Sequence, residues 1–555
     1  MTIFSQHKIV NQMKGNAFLI VLFAVIFLAA GCRKKEIGSN TFYVDSNLGS
    51  DVNDGLSPKT AWKTLRKASE QKYQSGDKLL LSEGAVFTGK LILQANGSPD
   101  NPVLVSCYPG DDNLGVKPVI NASGYLAGIE VRNGDNVEIN NIEITADAGE
   151  VHEEGARDKR YGIYIETDTP GNYSNITLKA LYIHDIFASE NVENDGQNPT
   201  SNLGYGIFIT MKNLEAPIGN VKIEDCKIEM TGHTGIRAFG YAKDGERTYI
   251  DSLTIVNNIL ENIGGPGMVP GLCKNVLVRG NVTNHTGSTA DPRMHNRGSG
   301  IWPWTSEDVL IEKNKFMNAW GKMDSYGCHI DYNCKNVVVQ YNLSINNSGG
   351  FVEILGNDYN CSYRYNVSIN DGYRQKGVNG VVHEGKILWT SGYVGKNPRT
   401  GPINSYIYNN TIFVKEEYAT RFSFARTTDG ILIANNIFYI MGESVDVEDN
   451  GKTGTGTIQN VVFENNLYQR TGIVPESVII EDSAPLFGDP QFKNPGGLHA
   501  EDYIPGNVEL IKNKGIEISK LPNDSIGLVI GLKPEFDILG NKIEGLPDLG
   551  AVEIK

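Results

Sequence analysis

The sequence predicts an all-β protein, a right-handed parallel β-helix (a solenoid) of about ten or more coils with N- and C-terminal caps. Strand-like segments that alternate apolar and polar residues recur from about residue 136 to residue 470. Eight of them end in an asparagine, and a second strand-like segment that begins after a glycine follows the repeat. Because one short strand cannot bury its apolar face alone, neighbouring repeats must stack.

The recurring asparagines form the most regular feature of the repeat. They close residues 253–258, 276–281, 309–314, 337–342, 361–366, 405–410, 431–436 and 461–466. Asparagine tolerates left-handed backbone at a tight turn, and its amide can hydrogen-bond to the asparagine one coil above. We therefore predict an internal asparagine ladder. The alternative is a row of solvent-exposed turn asparagines without stacking.

The N-terminus predicts export to the bacterial cell envelope. Lys8 and Lys14 precede an apolar run over residues 18–30, which is too short for a comfortable membrane span and is typical of a signal-peptide core. Residues 28–32 read LAAGC and resemble a bacterial lipobox, which implies lipidation at Cys32. We expect a lipoprotein signal peptide over 1–31 and an outer-membrane lipoprotein. An ordinary cleaved signal is the alternative, and the side of the membrane stays open.

Composition and charge exclude several classes of function. The formal net charge of −15 is wrong for a nucleic-acid-binding surface, which needs a basic face. No CxxC pair occurs, so a zinc site is not expected. The cysteines other than Cys32 are predicted to be small core residues, with one disulfide as the alternative: Cys107, Cys226, Cys273, Cys328, Cys334 and Cys361. We expect a monomer.

The repeat also sets the domain boundaries. We expect a linker over residues 32–40, a β-helix catalytic domain over 41–483 and a C-terminal cap over 484–555, where the repeat is lost. An open end of a β-helix would expose unpaired strand edges, so the cap should cover the last coil. Residues 45–54 are rich in Asp, Asn and Gly, for which we favour a turn-rich N-terminal cap, with a calcium site as the alternative.

The glycine-led strands predict a ligand-binding face. When the glycine is counted as the first position, the second and fourth positions are apolar or small and should point inward, so the third and fifth positions should point outward. In coil order the outward residues are Tyr164, Glu166, Phe208, Thr210, Arg237, Phe239, Trp302, Trp304, His329, Asp331, Phe351 and Glu353. Aromatic rings stack on sugars, and charged groups bind their hydroxyls or acidic substituents, so this stripe predicts a sugar-binding groove.

Two acids in this stripe predict glycosidic cleavage. Aligning Gly327 with Gly349 places Asp331 and Glu353 in one column on adjacent coils, with backbones about 4.8 Å apart. Two carboxyl groups this close resist joint ionisation, which creates one proton donor and one base or nucleophile. His329 shares the strand and could orient a carboxylate, donate a proton or bind substrate. The alternative is a pair of acids neutralised by arginines without a catalytic role.

The remaining candidates are substrate-binding residues. Trp302 and Trp304 would form the stacking platform, and Phe351 would extend it. Aligning Gly372 as the next strand start makes Arg374 an outward residue, which with Arg237 would contact anions. His295 and Arg297 lie in the loop before Gly300 and would wall the groove. No metal site is predicted beyond the calcium alternative.

The sequence resembles secreted polysaccharide-active enzymes of the right-handed parallel β-helix superfamily, which includes pectate lyases, polygalacturonases, alginate lyases and fucan-cleaving hydrolases. Residues 42–65 resemble the usual opening of these proteins, and residues 546–553 resemble their closing segment. The resemblance implies a polysaccharide substrate. We expect hydrolysis of an acidic or sulfated polysaccharide. The alternatives are a lyase acting on a uronic acid, with Lys376, Lys386, Arg374 or His329 as base, and a non-catalytic glycan-binding protein.

Overall fold

The computed structural model describes residues 38–110, 115–188, 203–445, 459–475 and 481–555. The predicted signal peptide, Cys32 and most of the predicted linker lie outside these residues. Strands of three sheets alternate along the chain, and the pairings between successive coils are parallel. This arrangement confirms the parallel β-helix and its expected number of coils.

Two sheets of fourteen strands each run the length of the molecule. Sheet 1 comprises Thr41–Val44, Lys78–Ser82, Val103–Tyr108, Val137–Asn140, Tyr173–Lys179, Ile218–Glu224, Ile250–Val256, Cys273–Arg279, Glu307–Glu312, Lys335–Gln340, Ser362–Arg364, Ile403–Tyr408, Asp429–Ala434 and Gln459–Glu464. Sheet 2 comprises Val86–Thr88, Val119–Asn121, Glu143–Asp147, Tyr182–Phe187, Lys227–Thr231, Ile259–Ile263, Val282–Thr286, Lys315–Met317, Leu343–Ile345, Val367–Ile369, Thr411–Val414, Ile437–Ile440, Leu467–Tyr468 and Leu486–Phe487.

Sheet 3 carries the glycine-led strands. Its first part comprises Lys72–Gln74, Leu91–Asn96, Ala127–Arg132, Lys159–Thr167, Leu203–Met211, Ile236–Phe239 and Met268–Gly271, and its last part Gly350–Ile354, Lys386–Thr390 and Phe422–Ser423. Single parallel bridges through Ile301 and Cys328 join the two parts. A hairpin and short helices complete the described elements: Tyr241–Lys243, Glu246–Thr248, Pro58–Thr60, Leu65–Ser69, Val378–Gly380, Ala500–Tyr503 and Val508–Ile511.

The predicted asparagine ladder is confirmed at the tight turn between sheets 1 and 2. The Nδ2 group of each asparagine donates to the Oδ1 atom of the next at 2.9–3.0 Å, through Asn258, Asn281, Asn314, Asn342, Asn366, Asn410, Asn436 and Asn466. Asp482 ends the ladder by accepting from Asn466 at 2.8 Å. The left-handed residue is the one before each ladder asparagine, and Lys313 and Tyr341 occupy it with φ of 56° and 57°. Asparagine is therefore needed at the ladder positions for the hydrogen bonds of its side-chain amide, and not for a left-handed backbone conformation.

One continuous apolar core fills the interior between the three sheets. Cys226, Cys273, Cys328, Cys334 and Cys361 are buried, which agrees with the predicted core role, and Cys107 is half-buried. The six thiols of the described residues are free, so the disulfide alternative was wrong.

The acidic stretch near the N-terminus forms turns. Asp45 accepts the backbone N–H groups of Asn47 and Leu48, and Asp51 accepts those of Lys63 and Thr64. These donors occupy the carboxylates in the way a turn-rich cap requires. Within the described ranges, no helix combines the length and the apolar character that crossing a membrane requires.

The C-terminal segment packs along the side of the β-helix as well as at its end. Tyr503 and Ile511 bury the outward side chain of Phe413 on sheet 2. In the turn before the sheet 1 strand Ser362–Arg364, Asn360 donates to Asp524 at 3.0 Å. Outward positions under this segment are therefore apolar, including Tyr365, Tyr406, Tyr408 and Leu432. This cover explains why the polar alternation fades in the later repeats.

Candidate active site

A cavity of about 660 Å³ opens over the last part of sheet 3. Its floor consists of residues from consecutive coils: Trp302 and His329 lie in segments joined by single bridges, and Glu353 and Trp389 lie in strands. Loops that enter sheet 3 form one wall, and loops that leave it form the other. The cavity is lined by Arg297, Trp302, Trp304, Met323, Asp324, Tyr326, His329, Asp331, Tyr332, Glu353, Leu355, Arg374, Lys376, Val382, His383, Glu384, Lys386, Trp389, Thr390, Ser391, Tyr393, Arg399 and Ala425.

The register of the floor differs from the predicted one. The structure pairs residue 326 with residue 350 and residue 330 with residue 354, rather than Gly327 with Gly349. His329 is therefore the direct neighbour of Glu353, and Asp331 lies diagonally from it, with Cα atoms about 8 Å apart. The predicted shared column of Asp331 and Glu353 was wrong, because this coil is two residues longer than the spacing between Gly327 and Gly349.

Asp331 is a half-buried acid with a raised pKa. Burial, together with the negative charge of Asp324, raises the pKa of its carboxyl to about 7. Its Oδ1 atom accepts the backbone N–H of Tyr332 at 2.8 Å, which fixes the orientation of the carboxyl group. An acid with a pKa near neutrality can both hold and release a proton at working pH, which is the property of a general acid.

Asp324 is a second carboxyl group of the cavity, and the sequence analysis missed it. Its Oδ2 atom lies 2.5 Å from Nε of Arg297. Although burial opposes ionisation, the guanidinium of Arg297 holds the pKa of Asp324 below its ordinary value. Asp324 and Ser325 both adopt left-handed backbone, with φ of 48° and 72°. The predicted loop residue Arg297 thus lines the cavity and keeps one acid ionised.

Glu353 is buried more deeply than the two aspartates. Only 3% of the residue is exposed, and burial raises the pKa of its carboxyl well above the ordinary range. His329 beside it is neutral at ordinary pH, because burial lowers its pKa to about 4. Ser299 Oγ accepts the backbone N–H of Tyr326 and lies 2.9 Å from His329 Nδ1, so we assign the serine hydroxyl as the donor to Nδ1.

Aromatic rings flank these polar groups. The ring centroids of Trp302 and His329 are 4.9 Å apart, and Trp304 stacks on Phe239 at 5.1 Å and 15°. Trp389, which the sequence analysis missed, follows Glu353 on the next coil, where the register pairs the two residues. The two tryptophans that were predicted as a platform do lie in the cavity. Together the rings offer apolar faces for sugar stacking.

Arg374 and the 383–386 segment enter the cavity from a loop. Arg374 lies in a loop between Val367–Ile369 and Lys386–Thr390, rather than on a strand as the alignment of Gly372 predicts. Its guanidinium donates to the backbone carbonyls of His383 and Gly321 and so ties the wall together. Lys386 lies 3.4 Å from Glu384 and 4.5 Å above the ring of Trp389. Arg374 is therefore a fixed wall residue with a positive charge.

Three predicted binding residues lie outside the cavity lining. Phe351 follows Gly350, whose φ is 153°, and packs into the core, because the strand alternation begins only after it. His295 is buried and stacks on His233 at 4.8 Å. Arg237 lies over the rings of three aromatic residues, with the coil of Met268–Gly271 between it and Trp302. The strand Met268–Gly271 was not predicted, because it has no polar outward residue.

The cavity is more positive than the chain as a whole. Five cationic side chains line it against four carboxyl groups: Arg297, Arg374, Lys376, Lys386 and Arg399 against Asp324, Asp331, Glu353 and Glu384. Because Asp331 and Glu353 have raised pKa values, the balance at neutral pH is more positive than the count alone. Within the residues that the structure describes, no group of three or more His, Cys, Asp or Glu side chains is arranged to hold a metal ion.

The fold and the site define a parallel β-helix protein with a carboxyl-lined, aromatic cavity on sheet 3. No family model matches the chain. It is similar to a lacto-N-biosidase of Bifidobacterium longum subsp. longum, with 25% identity over 97% of this chain and 38% of that protein. It also shares 32% identity with α-1,3-galactosidase A of Akkermansia muciniphila, over 14% of this chain. The chain thus spans well under half the length of the lacto-N-biosidase it matches.

Solved structures support the same fold. The GH136 lacto-N-biosidase of Eubacterium ramulus superposes with a TM-score of 0.53 and 20% identity, covering 81% of this chain and 68% of that one. The complex of XylC with xylose superposes with a TM-score of 0.55 and 13% identity, covering 93% of this chain and 98% of that one. The resemblance to pectate lyases and polygalacturonases in particular stays a prediction.

Proposed function

We propose that the protein is a glycoside hydrolase that cleaves a glycan in the cavity on sheet 3. The observation that carries this proposal is the pair of cavity carboxyl groups with opposite pKa shifts, lowered in Asp324 and raised to about 7 in Asp331. Two acids whose environments separate their pKa values supply the two roles that glycosidic cleavage needs. The similarity to a lacto-N-biosidase along nearly the whole chain supports the same class of reaction.

In this mechanism Asp331 donates its proton to the glycosidic oxygen as the bond to the anomeric carbon breaks. Asp324, kept ionised by Arg297, either attacks the anomeric carbon or takes a proton from the attacking water. Trp302, Trp304 and Trp389 hold the sugar rings by stacking. The predicted pairing of Asp331 with Glu353 is thereby replaced by a pairing of Asp331 with Asp324.

We propose an acidic or sulfated glycan as the substrate. The positive balance of the cavity in a chain of net charge −15 supports this class, because it favours an anionic substituent. Exposed Lys376 and Arg399 at the rim would meet such a group first. A neutral glycan carrying lacto-N-biose is the second candidate, and the similarity to the lacto-N-biosidase favours it.

One experiment separates these possibilities. The purified protein is incubated with sulfated, uronic-acid and lacto-N-biosyl glycans, while new reducing ends and ultraviolet absorbance are followed together. We expect reducing ends without new absorbance. Both signals would indicate a lyase, and neither signal would leave a glycan-binding protein. Arg399→Gln should raise KM for an anionic glycan and leave KM for a neutral one unchanged, and the opposite result would favour the neutral substrate.

We further propose that the chain is anchored to the envelope through a lipid on Cys32 and acts there as a monomer. The lipobox-like residues 28–32 support the anchor. Mass spectrometry of the membrane fraction should find a lipidated Cys32, and Cys32→Ala should release the protein into the soluble fraction. An unmodified Cys32 in the membrane fraction would refute the anchor. Light scattering of the soluble protein tests the monomer.

A further inference from the structure

Glu353 has a role that differs from those of the two aspartates. Its Oε2 atom is buried, and no hydrogen-bond partner for it exists in the described part of the chain. The nearest ring nitrogen, Nδ1 of His329, is 3.8 Å away and already faces Ser299. An unpartnered buried oxygen on a cavity floor is costly unless a ligand supplies the missing partner.

The surroundings of Glu353 do not provide the counter-charge that an ionised carboxylate would need. The titratable and charged groups that face it are Asp324, Asp331, Tyr326, Tyr363, His329, Arg297, Lys386 and Arg374. Arg297 is engaged with Asp324 at 2.5 Å. Lys386 is engaged with Glu384 at 3.4 Å, and the Arg374 guanidinium donates to backbone carbonyls. Burial and the two aspartates outweigh these cations and raise the pKa of Glu353 well above its ordinary value.

The neighbours of Glu353 show where a ligand would lie. The register places His329 on the coil before Glu353 and Trp389 on the coil after it, about 4.8 Å away on either side. A sugar ring stacked on Trp389 would hold its ring substituents over the Glu353 carboxyl group. A neutral carboxylic acid can donate one hydrogen bond there, whereas a carboxylate can only accept.

We propose that Glu353 is a substrate-positioning residue, which stays a neutral acid and donates a hydrogen bond from its carboxyl group to an oxygen of the sugar stacked on Trp389. It takes no part in proton transfer. The sugar as ligand rests on the proposed function, whereas the neutral state of Glu353 does not depend on it. The two parts are therefore tested separately.

The first test follows thermal stability against pH and needs no ligand. In the unfolded chain a glutamate loses its proton near pH 4.3. If the folded protein keeps that proton, wild-type stability falls relative to Glu353→Gln as pH rises above this value. The Tm advantage of Glu353→Gln should grow to about 1–3 °C by pH 8. A constant or negative difference would overturn the neutral state.

A matched control comes from the outer face of sheet 1. Glu312 is also buried, but Arg279 and Gln340 both donate to it, at 2.7 and 2.6 Å. Glu312→Gln breaks an ion pair, so its Tm difference from wild type should not turn positive as pH rises. Because Glu312 lies on another sheet, this variant should also leave hydrolysis unchanged.

The second test measures kinetics on whichever glycan of the panel releases reducing ends. Glu353→Leu removes the donor and should raise KM about tenfold, with a much smaller change in kcat. Glu353→Gln keeps an N–H donor and should recover most of that loss. If Glu353→Gln instead slowed turnover by about two orders of magnitude or more, proton transfer would be shown and the positioning role overturned. If no glycan is cleaved, the same variants are compared by glycan binding, and equal affinities would also overturn it.

Discussion

The ion pair of Arg297 with Asp324 offers a quantitative test of the site. Two unit charges about 4 Å apart attract by about 4 kcal/mol at an effective dielectric constant of about 20. The two side chains are 24% and 19% exposed, so we reduce this value for solvent screening to about 2 kcal/mol. Arg297→Met should therefore weaken ionisation of Asp324 by a factor of about 30.

The sign of the effect follows from the direction of the shift. The pKa of Asp324 is lower in the folded protein than in the unfolded chain. The ion pair therefore stabilises the fold at pH values above the pKa of the unfolded chain, and this stabilisation is lost as the pH falls through the pKa of the folded protein. In Arg297→Met the acid limb of kcat/KM should move towards neutral pH. The matched control is Arg279→Met, which breaks the pair with Glu312 on sheet 1 and should leave the profile unchanged.

A double-mutant cycle measures the same pair without any substrate. The free energies of unfolding of Arg297→Met, Asp324→Asn and the double variant are compared by denaturant titration at neutral pH. The double variant should be more stable than the sum of the single changes by about 2 kcal/mol. Additive effects, together with an unmoved acid limb in Arg297→Met, would refute the assignment of Asp324 as the ionised acid.

Four further predictions rest on the same contacts. The alkaline limb of the kcat/KM profile should lie at about pH 7, where Asp331 titrates, and a profile that stays flat well above it would exclude this residue as the acid. Asn342→Ala should cost about 2–6 kcal/mol of unfolding free energy, because it strands two buried donors of the ladder, whereas exposed Asn47→Ala should cost almost nothing. Trp389→Ala should raise KM severalfold in steady-state assays, and an unchanged KM would remove it from the stacking platform. Deletion of residues 508–555 should cause aggregation by light scattering, since it uncovers apolar outward side chains, and a monodisperse product would contradict that cover.

The repeat determines which parts of the fold are predictable from sequence. Each ladder asparagine follows a strand in which apolar and polar residues alternate. The sequence alone therefore places Asn258 and Asn466 at the same turn of the β-helix. The sheet 3 strand Met268–Gly271 was not predicted, because Val269 and Gly271 occupy its outward positions and are not polar. The packing of the C-terminal segment against the side of the β-helix is indicated in the sequence only by the apolar outward residues of the last coils.

The candidate site shows a sharper limit. Asp331 and Trp302 lie in the bridged segments that join the two parts of sheet 3, where the predicted alternation sets their direction, and both line the cavity. Asp324 lies in a loop with left-handed backbone, and no periodicity tells where a loop side chain points. Register between coils depends on turn length, so a two-residue difference before Gly350 moved Glu353 away from its predicted partner. Contacts between residues on different coils can therefore be identified only from the structure.

The leaving-group dependence of Asp331→Asn tests the central claim most directly. A glycan whose leaving group is a sugar alcohol needs protonation, whereas an activated aryl glycoside of the same sugar does not. We expect Asp331→Asn to lose about 10²–10⁴-fold in kcat/KM on the glycan and to cleave the aryl glycoside at close to the wild-type rate. Full activity on the glycan, or an equal loss on both substrates, would contradict the role of Asp331 as the proton donor.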